Sequence, residues 1–259
     1  MNKAKPPRLL AFNPLVDFRL LAEPRRLSVW TGLKWFSRAW VIFTGNIGLW
    51  VGVGLLVLLF RMGLGYIPLI GGVVATILDF VCYAGASYIA YCQTTEKNTS
   101  IFDLFIAFRH SGYNFKIFLA LCVVLFLISS ALAFFLTIIM FASNINFDSL
   151  VFIGIAFGPP VLVFVLIAMA FWLAPILILF HDLKPLPALK MSFKACIANL
   201  LPLTVLGLVF GLTIWVLAII TTIASFMFGG LVVFGLGAIL IPMMMICSYV
   251  AYRDIYTEN

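Results

Sequence analysis

The chain has 259 residues, 64% hydrophobic and 10% charged, with a mean hydropathy of +1.20. That composition excludes an ordinary soluble domain. The excess of 16 Lys and Arg over 9 Asp and Glu, a net +7, is explained first by a membrane, so no nucleic-acid partner is expected. A hydrocarbon core about 30 Å thick takes roughly 20 helical residues to cross, so six crossings would use about half of the chain. No extramembrane domain fits in what is left.

Residues 1–26 carry four Pro and six basic residues, and their apolar run is too short and interrupted for a signal-peptide core. They read as a poorly ordered cytosolic tail. Apolar stretches follow at 46–60, 68–92, 115–141, 150–180, 200–226 and 231–252, each long enough or nearly so for one helical span. None alternates apolar and polar residues as the strands of a membrane barrel do. The fold class expected is therefore an all-α membrane protein, a six-span helical bundle forming one domain over 27–252, with 253–259 as a short cytosolic tail.

With six spans and both ends on one side, that side collects 15 of the 16 Lys and Arg, and the other side only Arg61. In loops this short the asymmetry places both termini in the cytosol. The stretch 150–180 would be about 46 Å long as one straight helix, too long for a single crossing. Pro159, Pro160 and Pro175 offer breaks, with Pro175 preferred.

Three connectors read as basic amphipathic helices at the cytosolic interface. In 30–43, Leu33, Phe36, Trp40 and Phe43 share a face opposite Thr31, Lys34 and Arg38. In 101–116, Ser100 and Asp103 make a capping box ahead of Phe102, Phe105 and Phe108. In 186–199, Leu186, Leu189, Phe193 and Ile197 oppose Lys190 and Lys194. One basic connector followed by two spans thus recurs over 27–92, 99–182 and 185–252. Two readings stay open: threefold repetition of one unit, or the amphipathic connectors that any multi-span protein needs. Each stretch also carries a Gly-x-x-x-Gly spacing that lets two helices approach: Gly48 and Gly52, Gly154 and Gly158, Gly207 and Gly211.

Chemistry-bearing residues are few. Asp79 is the one charge read as lying inside a span, and Tyr83, Ser87 and Tyr91 continue a polar stripe on the same helix face. No Lys, Arg or His at that depth is evident as a partner. A proton or cation site is one reading; a neutral or hydrogen-bonded Asp79 pinning its span to a neighbour is the preferred one. Lys34 with Arg38, and Lys190 with Lys194, stand one turn apart on the connectors and are candidate contacts for anionic lipid headgroups. His110 and His181 lack further ligands at metal spacing apart from Asp182, so no metal or other cofactor is expected. Hydrolase and P-loop motifs are missing, so the chain reads as no enzyme. The five cysteines are never spaced as C-x-x-C and read as free thiols. Trp30, Trp35, Trp40 and Trp50 read as interfacial anchors.

Several strings together, G-L-K-W-F-S-R-A-W at 32–40, Y-I-P-L-I-G-G at 66–72, W-L-A-P-I-L-I-L-F-H-D at 172–182, P-A-L-K-M-S-F-K-A-C-I-A-N-L at 187–200 and S-Y-V-A-Y-R-D-I-Y at 248–256, make the chain resemble an uncharacterised family of multi-span proteobacterial inner-membrane proteins. The resemblance implies a bacterial plasma membrane and supplies no catalytic residues. It also implies an apolar residue or Pro near position 79, where this chain has Asp. The leading functional expectation is a non-catalytic accessory or lipid-contacting organiser, whose partners are membrane lipids and another membrane protein or a second copy. A small permease using Asp79 is the alternative.

Overall fold

A computed structural model describes residues 9–10, 15–68, 70–110, 112–142, 150–228 and 231–258. Almost all of them are helical, because the apolar runs satisfy their backbone groups internally. The elements are β1 (Leu9–Leu10), β2 (Leu20–Leu21), α1 (Thr31–Gly45), α2 (Ile47–Gly65), α3 (Ile70–Thr94), a 3-10 turn (Ile101–Phe105), α4 (Ile106–His110), α5 (Tyr113–Ala142), α6 (Leu150–Phe171), α7 (Ala174–His181), α8 (Pro185–Ala198), α9 (Leu200–Phe228) and α10 (Leu231–Tyr256). Among the described residues, six segments are long and apolar enough to cross a membrane: α2, α3, α5, α6 with α7, α9 and α10. This is the architecture of a multi-pass membrane protein. Both described ends of the chain lie on one face, called here the terminal face, and the opposite one is the distal face.

Each connector begins or ends on a specific polar residue. Asn46 separates α1 from α2, and its side chain accepts the Leu49 N–H at 3.2 Å. Ser100 and Asp103 do form a capping box, but the helix they start is a 3-10 turn leading into the five-residue α4, and it does not continue to residue 116. Within the bundle, α10 and α3 are the inner spans, with 56% and 44% of their apolar stretches buried, against 11% for α9 and 12% for α5.

The connectors pack in a cyclic order. α1 lies on α9 and α10, the 3-10 turn and α4 lie on α3, and α8 lies on α6 and α7. Each therefore covers a span of the pair preceding it in the cycle. Glycines permit the closest of these contacts: a Cβ on Gly32 would stand 2.2 Å from the Pro202 carbonyl oxygen of α9, and one on Gly85 would stand 1.9 Å from that of Leu104 in the 3-10 turn. Gly54 meets Ala238 of α10 in the same way, at 2.1 Å. Two of the Gly-x-x-x-Gly pairs read from sequence, Gly48 with Gly52 and Gly207 with Gly211, are not among these contacts. Gly48, Gly207 and Gly211 have nothing within 4 Å, and Gly52 touches only the Ile101 side chain. The surroundings of Gly154 and Gly158 are outside the described residues.

The long fourth stretch is broken at Trp172 and Leu173, so Pro175 sits in the first turn of α7, where its missing N–H is not needed. The helix runs unbroken through Pro159 and Pro160. At the break a side chain from α8 enters the backbone ladder. Ser192 Oγ accepts the Leu173 N–H at 2.9 Å and donates to the Met169 carbonyl at 2.8 Å, the two groups that would otherwise bond each other in a continuous helix. Leu173 and Ser192 are fully buried. Ser192→Ala is therefore expected to strand a buried N–H and to lose about 1–3 kcal/mol of stability, read as a lower midpoint of thermal unfolding in detergent. An unchanged midpoint would show that the break does not depend on α8.

The described residues from 15 to 26 and from 253 to 257, within the two expected tails, are packed rather than free. Val16, Leu20 and Leu21 are buried, Leu20 forms a bridge with Thr257, and Arg25 N–H donates to the Ile255 carbonyl at 3.0 Å. Asn199, between α8 and α9, holds the same segment: it accepts the Leu27 N–H and donates to the Arg25 carbonyl, each at 2.9 Å. Residues 15–27 thus form a strap across the terminal face. The rest of the 1–26 segment, apart from Leu9 and Leu10, lies outside the described residues. Over residues 15–26 composition misleads: Pro and basic residues mark a tail, but Val16, Leu20 and Leu21 find a surface made by helix ends that are remote in sequence.

Candidate functional site

The intramembrane stripe divides into two unrelated places. Asp79, on α3, is held by Arg61, whose Nε donates to Oδ1 at 3.0 Å and whose Nη2 donates to Oδ2 at 2.7 Å. This corrects the expectation that Asp79 has no cationic partner. Arg61 lies four residues before the end of α2, and its long side chain reaches a carboxylate deeper in the neighbouring span. The fork-to-carboxylate geometry ties α2 to α3 and leaves neither charge alone in the apolar layer. Ser87 donates within its own helix to the Tyr83 carbonyl at 3.0 Å, and the Tyr83 hydroxyl is buried. Tyr91 belongs to the opposite end of α3, where it meets the strap.

Asp79 also stands between two cavities. One, of about 250 Å³, lies on the side of α6 against Phe80, Tyr83, Phe171 and Trp172. The other, of about 290 Å³, lies on the side of α2 and α5 and is lined by Arg61, Gly65, Gly72, Thr76 and Phe126. The α6–α7 break brings Trp172 to the first of them, and its indole N–H donates to Ser248 Oγ of α10 at 3.0 Å. A broken helix beside a charged residue is a feature that sequence reading placed only as far as Pro175.

On the terminal face, the four candidate headgroup residues Lys34, Arg38, Lys190 and Lys194 are all exposed, as expected of solvated side chains. Their helices also carry an inward stripe that the apolar pattern of the sequence does not mark. Trp35, Ala39 and Phe43 turn toward the bundle, whereas Leu33 and Trp40 are 44% and 49% exposed. In α8 the inward residues are the small Ala188, Ser192, Ala195 and Cys196, while Leu186 and Ile197 are 62% and 52% exposed. Each helix therefore has an inward stripe, an outward apolar stripe and basic residues. Two of the four expected tryptophan anchors are fully buried: Trp35 donates to Asp254 Oδ2 at 3.0 Å, and Trp50 to Gln93 Oε1 at 2.9 Å. Trp30 and Trp40 remain outside.

Sequence reading missed the polar groups at the ends of α3 and α10. Arg38 Nη1 donates to both oxygens of Asp254, at 2.8 and 2.9 Å, joining α1 to α10. Arg253 places its guanidinium 4.7 Å from the ring centre of Phe18 in the strap. Between them a groove of about 470 Å³ opens among α1, α3 and α10. The signal was present in R-D at 253–254, but nothing local says which helix a terminal Arg-Asp pair will face.

Asp17, Tyr91 and Lys97 latch the strap. Tyr91 donates to Asp17 Oδ2 at 2.8 Å, and Lys97 Nζ donates to Tyr91 Oη at 2.8 Å and to Asp17 Oδ2 at 3.0 Å. The hydrogen bond from Lys97, then that from Tyr91, holds the Asp17 carboxyl below its ordinary value, while Tyr91 and Asp17 raise the Lys97 ammonium. A lowered carboxyl stabilises the strap above its unfolded value of about 3.9 and ceases to do so as pH falls through the folded value. A raised ammonium acts fully below about 10.4 and is lost as pH rises through its folded value. Backbone hydrogen exchange at residues 16–21 is expected to be slow near neutral pH and to speed up, beyond its intrinsic pH dependence, in acid below about pH 4. Both groups are exposed, so 0.5 M salt is expected to weaken the latch. Exchange that follows the intrinsic pH curve throughout would remove the latch from the account.

His181 is buried, with Nε2 bonded to the Tyr252 hydroxyl and Nδ1 without a bond, and it faces none of the cavities described above. The five cysteines are buried and free. Compared with family models, curated proteins and solved structures, the chain matches none.

Proposed function

We propose that this chain is a multi-pass protein of a bacterial inner membrane, with both termini in the cytosol, acting without catalysis as a lipid-contacting organiser or accessory subunit. The observation that carries the reading is that α1 and α8 each expose an apolar stripe and a basic pair on the terminal face. An amphipathic helix with that division lies in the headgroup layer, its apolar side in the acyl boundary and its cations among the phosphates. The cyclic packing of connectors on spans supports the companion reading of three repeated units, at 27–92, 99–182 and 185–252. In vesicles of mixed phosphatidylglycerol and phosphatidylcholine, the purified protein is expected to gather the anionic lipid around itself. Replacing Lys34, Arg38, Lys190 and Lys194 together by Gln is expected to return its lipid shell to the bulk composition, since each cation near the surface is worth about 1 kcal/mol. An unchanged shell would refute the organiser reading.

A second reading has its own support. Asp79 lines both cavities beside a broken helix, which is how secondary transporters build substrate and ion sites. Under that reading proteoliposomes would take up substrate or protons, and Asp79→Asn would abolish the flux.

A further inference from the structure

The geometry points to a single phospholipid site in the groove between α1, α3 and α10, built for a headgroup with one phosphodiester and hydroxyl groups, as in phosphatidylglycerol. The proposal rests on the lipid-contacting reading above and narrows it from a diffuse basic surface to one stoichiometric site.

Arg38, Arg253 and Asp254 line the groove, so it carries one net positive charge. Arg38 uses only Nη1 on Asp254, leaving Nε and Nη2 to donate elsewhere, and its side chain is 55% exposed. Among the described residues Arg253 has no carboxylate partner; Phe18 holds its guanidinium in place through the ring face. Two guanidinium groups with spare donors, one from each of two packed helices, suit the oxygens of a phosphate. One phosphodiester neutralises the surplus.

The remaining surfaces select the rest of the molecule. Asp254 already accepts from Arg38 twice and from Trp35 once, and its side chain is only 12% exposed, which leaves little room for the ammonium of an ethanolamine headgroup. Ser37 lines the groove with an exposed hydroxyl, which matches a polyol, and the Thr94 hydroxyl, bonded to that of Tyr249 at 2.9 Å, forms its polar floor. Val41, at 67% exposure, forms the rim on the apolar side, and Trp40 beside it is 49% exposed. Acyl chains leaving the groove would run over these residues into the bilayer. A soluble phosphate ester would gain nothing from them.

The test uses the full chain in detergent, titrated with phosphatidylglycerol and read by native mass spectrometry as lipid retained per protein. One tightly held lipid is expected, preferred over phosphatidylethanolamine. It should not be displaced by glycerophosphoglycerol, the soluble headgroup without chains. Arg253→Gln leaves the Arg38–Asp254 pair intact and is expected to weaken retention at least tenfold, about 1.4 kcal/mol. Phe18→Ala removes the ring beneath Arg253 and is expected to act in the same direction, more weakly, with some loss of stability because the ring also packs edge-on against Tyr91 at 5.2 Å. Lys190→Gln with Lys194→Gln should leave the single lipid in place. Retention that is insensitive to Arg253→Gln would overturn the site. If the combined lysine and arginine replacements still stripped the anionic shell, the general lipid-contacting reading would survive that loss. Displacement by glycerophosphoglycerol would overturn the assignment to a lipid and make the groove a site for a soluble phosphodiester.

Discussion

Gly85→Ala is expected to lose about 3 kcal/mol of stability, near the upper end for overpacking, whereas Gly48→Ala is expected to gain about 0.5–1 kcal/mol. The first added methyl would stand 1.9 Å from the Leu104 carbonyl oxygen and 2.4 Å from its carbon, both backbone atoms that cannot rotate away. Relief requires the 3-10 turn to separate from α3 along a contact that also buries Leu104. The second methyl meets nothing within 4 Å, so only the helix propensity of α2 changes. Thermal unfolding of the two variants in one detergent gives the comparison. A Gly85→Ala protein as stable as its parent would mean that the 3-10 turn is not seated on α3 as described.

Asp79→Asn is expected to lose about 2 kcal/mol, and Arg61→Gln combined with it to recover most of that loss. A guanidinium keeps its charge in every environment, so without the carboxylate Arg61 must either remain unpaired in the apolar layer or turn toward the distal face. Its position four residues from the end of α2 makes the second route short, which keeps the loss below the 3–5 kcal/mol of a fully buried broken pair. The double variant carries no charge to compensate, so a double-mutant cycle of melting temperatures measures the coupling directly. The same proteins separate the two functional readings. An organiser lacking both charges regains stability and keeps its lipid shell; a permease regains stability yet transports nothing. Additive losses in the cycle would show that the pair does not form in the membrane.

Which parts of this were legible beforehand follows from the range of the forces involved. The spans were visible because hydropathy acts through each residue's own transfer free energy, summed over one helix, and the stretches at 46–60 and 231–252 differ from α2 and α10 only at their ends. The capping box at Ser100 was visible because its hydrogen bonds close within three residues. The partner of Asp79 was not. Arg61 read as a lone cation of the distal loop, because a sequence shows how far a residue lies from the end of its helix and not how far its side chain reaches. In α1, likewise, Trp35 is expected as an interfacial anchor and Phe43 on one face with Leu33 and Trp40, yet Trp35 and Phe43 turn inward while Leu33 and Trp40 stay exposed. A helix at a membrane boundary has two apolar environments, lipid and protein, and hydrophobicity does not distinguish them.

By itself, the sequence settled that the chain holds six helices long and apolar enough to cross a membrane, since that follows from composition taken in order. The tertiary structure alone decided where glycine is indispensable, which carboxylate meets which guanidinium, how Ser192 enters the broken helix, and that residues 15–27 lie across the terminal face as a strap. Those contacts join positions tens to hundreds of residues apart, and their energies depend on approach distances that no local pattern encodes.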